Sequence, residues 1–77
     1  MIEQYAKVRI VTNRFHAEGV QAGDIGYVIE CHPKGHYEVE VSNPDGVTIA
    51  QFVAEEAELH QLDHRTSEQD GKTDPVR

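Results

Sequence analysis

The chain has 77 residues with seven Lys and Arg against fourteen Asp and Glu, a formal net charge of −7. That length allows one small domain, and a domain of this size buries only about 60% of its unfolded surface, which leaves stability marginal. Two Phe, three Tyr, no Trp and a single Cys exclude both a large aromatic core and an internal disulfide framework.

Along the chain, Ala6-Lys7-Val8-Arg9-Ile10-Val11 alternates and reads as a first strand, with Ala6, Val8 and Ile10 on one face. Thr12 to Gly23 has no sustained period and reads as a long loop that Phe15 and Val20 pin to the core. Ile25 to Cys31 is a second strand, started by the Gly23-Asp24 turn signal. His32-Pro33-Lys34-Gly35-His36 and Asn43-Pro44-Asp45-Gly46-Val47 then repeat the same x-Pro-x-Gly-x turn. Pro presets φ near −65° and Gly accepts φ > 0, the chemistry of a three-residue hairpin loop built on a type I turn.

That turn sets a register. It pairs His32 with His36, and it places Cys31 with Tyr37, Ile29 with Val39 and Tyr27 with Val41 on an apolar inner face. The outer face receives Glu30 opposite Glu38 and Val28 opposite Glu40. Val47 to Val53 is a fourth strand in which Ile49 and Phe52 cannot share a face, so a bulge is expected near Ala50-Gln51. Ala54 to Ala57 suits one helical turn, and Leu59 to Leu62 a short last strand. These elements describe an all-β fold over residues 1–63: a five-stranded SH3-like barrel with a helical turn before its last strand. Residues 64–77 have almost nothing to bury and are expected to form a disordered tail.

With Gly23-Asp24-Ile25-Gly26, Tyr37-Glu38-Val39-Glu40 and Asp45-Gly46 in place, the chain resembles an uncharacterised bacterial family of small SH3-like proteins. That family shows a Gly-Asp-x-Gly strand start, a Tyr-Glu-Val-Glu strand and an Asp-Gly turn. The resemblance covers about residues 5 to 62 and implies a fold, with no catalytic residues. More distantly, Gly23 to Ile29 is similar to the KOW motif of ribosomal and transcription proteins.

Residues 1–63 hold four basic residues (Lys7, Arg9, Arg14, Lys34) against eleven acids, so the whole excess of −7 lies there. This repels a phosphate backbone, whose binding relies on Lys and Arg, and favours a basic protein partner. Glu30, Glu38, Glu40, Glu55 and Glu56 are the expected partner-binding residues. His32, His36, Glu30 and Glu38 are candidate metal ligands on adjacent cross-strand pairs. A solvated hairpin tip is the commoner arrangement, and neither metal nor other cofactor is expected. Lys7 or Arg9 is expected to offset the opposed glutamates. Cys31 turns inward in this register and reads as core.

No phosphate loop, nucleophile elbow or dinucleotide fingerprint occurs, and a domain this small has little room for a pocket of about 300 Å³. No catalytic residues are expected. The leading functional expectation is therefore a non-catalytic interaction module docking on a basic partner or on itself as a dimer through its first or last strand. An antidote to a basic nuclease or toxin and a KOW-like ribosome or RNA attachment are the alternatives. With no apolar leader or spanning segment, a cytoplasmic protein is expected.

Overall fold

The computed structural model describes residues 1–62. It is all-β: β1 (Lys7–Ile10), β2 (Ile25–His32), β3 (His36–Ser42), β4 (Thr48–Glu55) and β5 (Leu59–Gln61) form one antiparallel sheet in the order β4-β3-β2-β1-β5. Three single-turn 3₁₀ segments, His16–Glu18, Pro33–Gly35 and Glu56–Glu58, lie between strands. The helical turn expected before the last strand is the third of these. The expected tail, 64–77, lies outside the described residues. No helix among the described residues is long and apolar enough to cross a membrane.

Alternation decides what is buried. Val8 and Ile10 of β1, Val39 and Val41 of β3 and Phe52 and Ala54 of β4 all turn to one side and are at most 7% exposed. Ala6 joins them from just before β1. The long loop behaves as expected: Phe15 and Val20 are buried. The Phe15 ring stacks on Phe52 of β4 with centroids 3.8 Å apart and planes 19° from parallel.

The sheet is not closed into a barrel, which corrects the sequence expectation. β4 and β5 are its two edges, and β5 is only three residues long, too short to pair with β1 and also complete a ladder to β4. The gap is bridged by side chains from the loop. Arg14 Nε donates to Glu58 Oε2 at 2.6 Å, and its Nη2 donates to Glu58 Oε1 at 2.8 Å and to the Val53 carbonyl of β4 at 3.3 Å. The Arg14 guanidinium also lies 4.4 Å from the centre of the Phe15 ring. Because β1 sits between β2 and β5, it is interior, and the first strand is not available for edge pairing.

Both turns fall where expected, with differences in detail. Asn43 Oδ1 accepts from the backbone N–H of Asp45 and of Val47, and Gly46 takes φ +83°, as the Asn-Pro-Asp-Gly chemistry requires. In the other turn Lys34 as well as Gly35 has positive φ, +65° and +73°. Two successive left-handed residues carry the twist that matches flanking strands, at a steric cost for Lys34 of about 1 kcal/mol.

The register near that turn is as read: His32 faces His36, Cys31 faces Tyr37 and Glu30 faces Glu38. Beyond Glu30 it changes. Val28, not Ile29, faces Val39, and Tyr27 faces Glu40, because Ile29 is an extra residue in β2. The bulge moves Val28 into the core, fully buried, and leaves Tyr27 49% exposed. The Ile29 carbonyl, displaced from the ladder, accepts from Gln4 Nε2 at 3.1 Å. A second bulge, at Ile49, lies just before the expected position; Ile49 stays 46% exposed, so no face is shared with Phe52.

Gly26 explains one element of the Gly-Asp-x-Gly sequence. A Cβ there would stand 2.9 Å from the Glu40 carbonyl oxygen and from Val39 Cγ1. Gly26→Ala is expected to lower stability by about 1–3 kcal/mol through overpacking. Gly46→Ala, whose Cβ would meet nothing within 4 Å, should cost about 1–2 kcal/mol from its backbone dihedral alone. Urea unfolding of both variants checks this; a Gly26→Ala shift under about 0.5 kcal/mol, the usual size for an uncrowded surface change, counts against the packing account.

Candidate functional site

The face of β2, β3 and β4 that turns away from the core carries the charge. On β3 the buried Tyr37, Val39 and Val41 alternate with His36, Glu38 and Glu40. On β4 the buried Ala50, Phe52 and Ala54 alternate with Gln51, Val53 and Glu55. The turn register puts Glu30 and His32 of β2 on the same outer face, opposite Glu38 and His36, and the bulge at Ile29 lets Val28 turn inward beside them. Four of the five expected partner-binding residues, Glu30, Glu38, Glu40 and Glu55, therefore share one surface. The fifth, Glu56, is placed elsewhere: it belongs to the last 3₁₀ turn and accepts from the Tyr37 hydroxyl at 3.4 Å.

Hydrogen bonds order this surface. Glu38 Oε1 lies 3.0 Å from His32 Nε2, and Glu38 Oε2 accepts from Gln51 Nε2 at 2.7 Å. These bonds, Gln51 first and His32 second, hold the Glu38 carboxyl below its ordinary pKa of 4.5. Glu40 accepts from the Thr48 hydroxyl across the β3–β4 ladder. No lysine or arginine ion-pairs with these four glutamates among the described residues. The expected offset from β1 is not placed opposite the Glu30–Glu38 pair: Lys7 faces Tyr27, in the row of Glu40, and Arg9 faces Ile25.

Of the four candidate metal ligands, the fold brings three together. One donor atom each from Glu30, His32 and Glu38 lie within 4.8 Å of one another. His36 is not in the group: its Nδ1 is 3.3 Å from the Pro33 carbonyl.

Cys31 departs from expectation, being exposed where the register turned it inward. It lies near the end of β2, where its thiol donates to the Ile2 carbonyl at 3.7 Å. It lines an open concavity of about 310 Å³ with Ile2, His32, Lys34, Tyr37 and Glu56. A second concavity, of about 370 Å³, lies between Asp24-Ile25, Val41 to Pro44 and Ile49. Concavities of the volume of small-molecule pockets are therefore present, contrary to the sequence expectation.

Sequence reasoning missed Arg14 and Glu58 as a pair. The Arg14 fork holds the Glu58 carboxyl below its ordinary pKa of 4.5, with a smaller contribution from the Glu55 backbone N–H, which donates to Glu58 at 2.9 Å. A folded-state pKa below the unfolded value means the unfolded chain binds more protons as pH falls. The stability from this carboxylate is thus fully present above 4.5 and lost as pH drops through the lower folded value. Glu58→Gln is expected to be less stable than the native chain near neutral pH, with the gap shrinking below 4.5. Thermal unfolding across that range checks it; a gap that does not change with pH contradicts the assignment.

Comparison with known proteins adds a family and no activity. No curated protein and no solved structure matches the chain. A family model does, over residues 5–61, nearly the span expected from the three strand and turn motifs. The protein therefore belongs to the family described as Domain of unknown function (DUF4926).

Proposed function

We propose that this protein is a non-catalytic interaction module whose outer β2–β3–β4 face docks on a basic protein partner. One observation carries the reading: Glu30, Glu38, Glu40 and Glu55 project from a single sheet face, ordered by the Gln51–Glu38 and Thr48–Glu40 hydrogen bonds. Lys7 and Arg9, the cationic residues of the sheet, stand on β1, where Lys7 is in line with Glu40 across Tyr27. Four carboxylates on one face steer a positively charged partner and set its orientation, while the same field repels nucleic acid.

Self-association has less edge to use than the strand count suggests. The C-terminal half of β4 is occupied by Arg14 at the Val53 carbonyl and by Glu58 at the Glu55 N–H, and β5 offers three residues. Covering an edge in this way is a known means of preventing strand-to-strand pairing.

The test uses a fluorescent Lys/Arg-rich peptide and anisotropy at about 0.15 M salt, where distant exposed charges are screened. Glu38→Lys/Glu40→Lys is compared with Glu3→Lys/Glu18→Lys, which changes net charge equally at exposed positions off this face. The first pair should weaken binding at least tenfold, about 1.4 kcal/mol, and the second much less. Equal losses would show that only net charge matters and would overturn the reading.

A further inference from the structure

We propose that Glu30, His32 and Glu38 form a divalent-cation site that takes zinc. The three side chains present one imidazole nitrogen and two carboxylate oxygens, a mixed donor set that suits this borderline ion.

Two features of the fold produce the grouping. The turn at Pro33–Gly35 sets Glu30 directly opposite Glu38, and the extra residue at Ile29 resumes the ladder beyond Glu30 with its inward and outward faces restored. His32, two residues along the same strand, reaches Glu38 diagonally at 3.0 Å. Directly opposed like charges destabilise a ladder, and the Glu30 carboxylate has no hydrogen bond or ion pair among the described residues. A bound cation removes that repulsion. From outside the group, Gln51 holds the second oxygen of Glu38, fixing the carboxylate as supporting groups do for metal ligands.

The present spacing needs only a small closure. Ligands of a tetrahedral ion at about 2.1 Å stand about 3.4 Å apart. The donor atoms here lie within 4.8 Å, and Glu30 is an exposed side chain free to swing inward. Three protein donors leave a fourth position for water.

This inference is independent of the docking reading. His32→Ala removes a ligand without removing any carboxylate from the face, so each proposal can fail alone. The experiment is calorimetric titration of the full chain with zinc, repeated with cobalt while recording its visible absorption. One saturable site per chain is expected, weakened at least tenfold by His32→Ala and by Glu30→Gln. His36→Ala and His64→Ala should leave it unchanged, and circular dichroism should show all four variants folded. No saturable binding, a site that survives His32→Ala, or one lost equally in His64→Ala would overturn the proposal.

Discussion

Phe15 and Arg14 span the open side of the sheet. An antiparallel sheet of five short strands with edges at β4 and β5 leaves one flank of a small core facing water. The loop between β1 and β2 covers it, placing the Phe15 ring on Phe52 and the Arg14 fork on Glu58 and the Val53 carbonyl. Burying a Phe is worth about 1.5–3 kcal/mol, a large share of the stability available to a chain of this length. The guanidinium then does for β4 what a partner strand would do: it supplies a donor to a carbonyl that the ladder leaves unmet. Glu58 is held between this contact and the Glu55 N–H, which ties the end of β4 to the start of β5.

Much of this was legible in the residues and some was not, for identifiable reasons. The two Pro-x-Gly turns announce both hairpins because each residue type there has one backbone task. They also fix the pairs nearest the turn, His32 with His36 through Glu30 with Glu38. The bulge at Ile29 escaped notice because Ile29 is as apolar as Val28, and alternation accepts either as the inward residue. A signal was present: without a bulge, Val28 sits opposite Glu40 on the outer face, an apolar residue among acids. The exposure of Cys31 follows from its place at the end of the sheet, which register alone does not report. The Arg14–Glu58 pair spans 44 residues and needed the three-dimensional path of the loop.

The acidic outer face follows from the same geometry. Once β3 and β4 commit their apolar residues inward, Glu38, Glu40 and Glu55 have only the outer side, and the turn register keeps Glu30 with them. The basic residues of β1 lie beyond β2, with Lys7 in line with Glu40 across Tyr27. Family membership does not assign a task to that face. Its charge and its imidazole-carboxylate group do suggest what it attracts: cations, whether carried by a protein or as a single ion.

The central claim is that loop side chains, not strand pairing, secure the open edge of β4. Native-state amide hydrogen exchange in Arg14→Ala tests it most directly. The account predicts that protection falls at Glu55, whose N–H donates to Glu58, and in β5, while the β2–β3 ladder keeps protection set by global unfolding. Unchanged exchange at Glu55 and in β5, or an equal loss throughout the sheet, would contradict it.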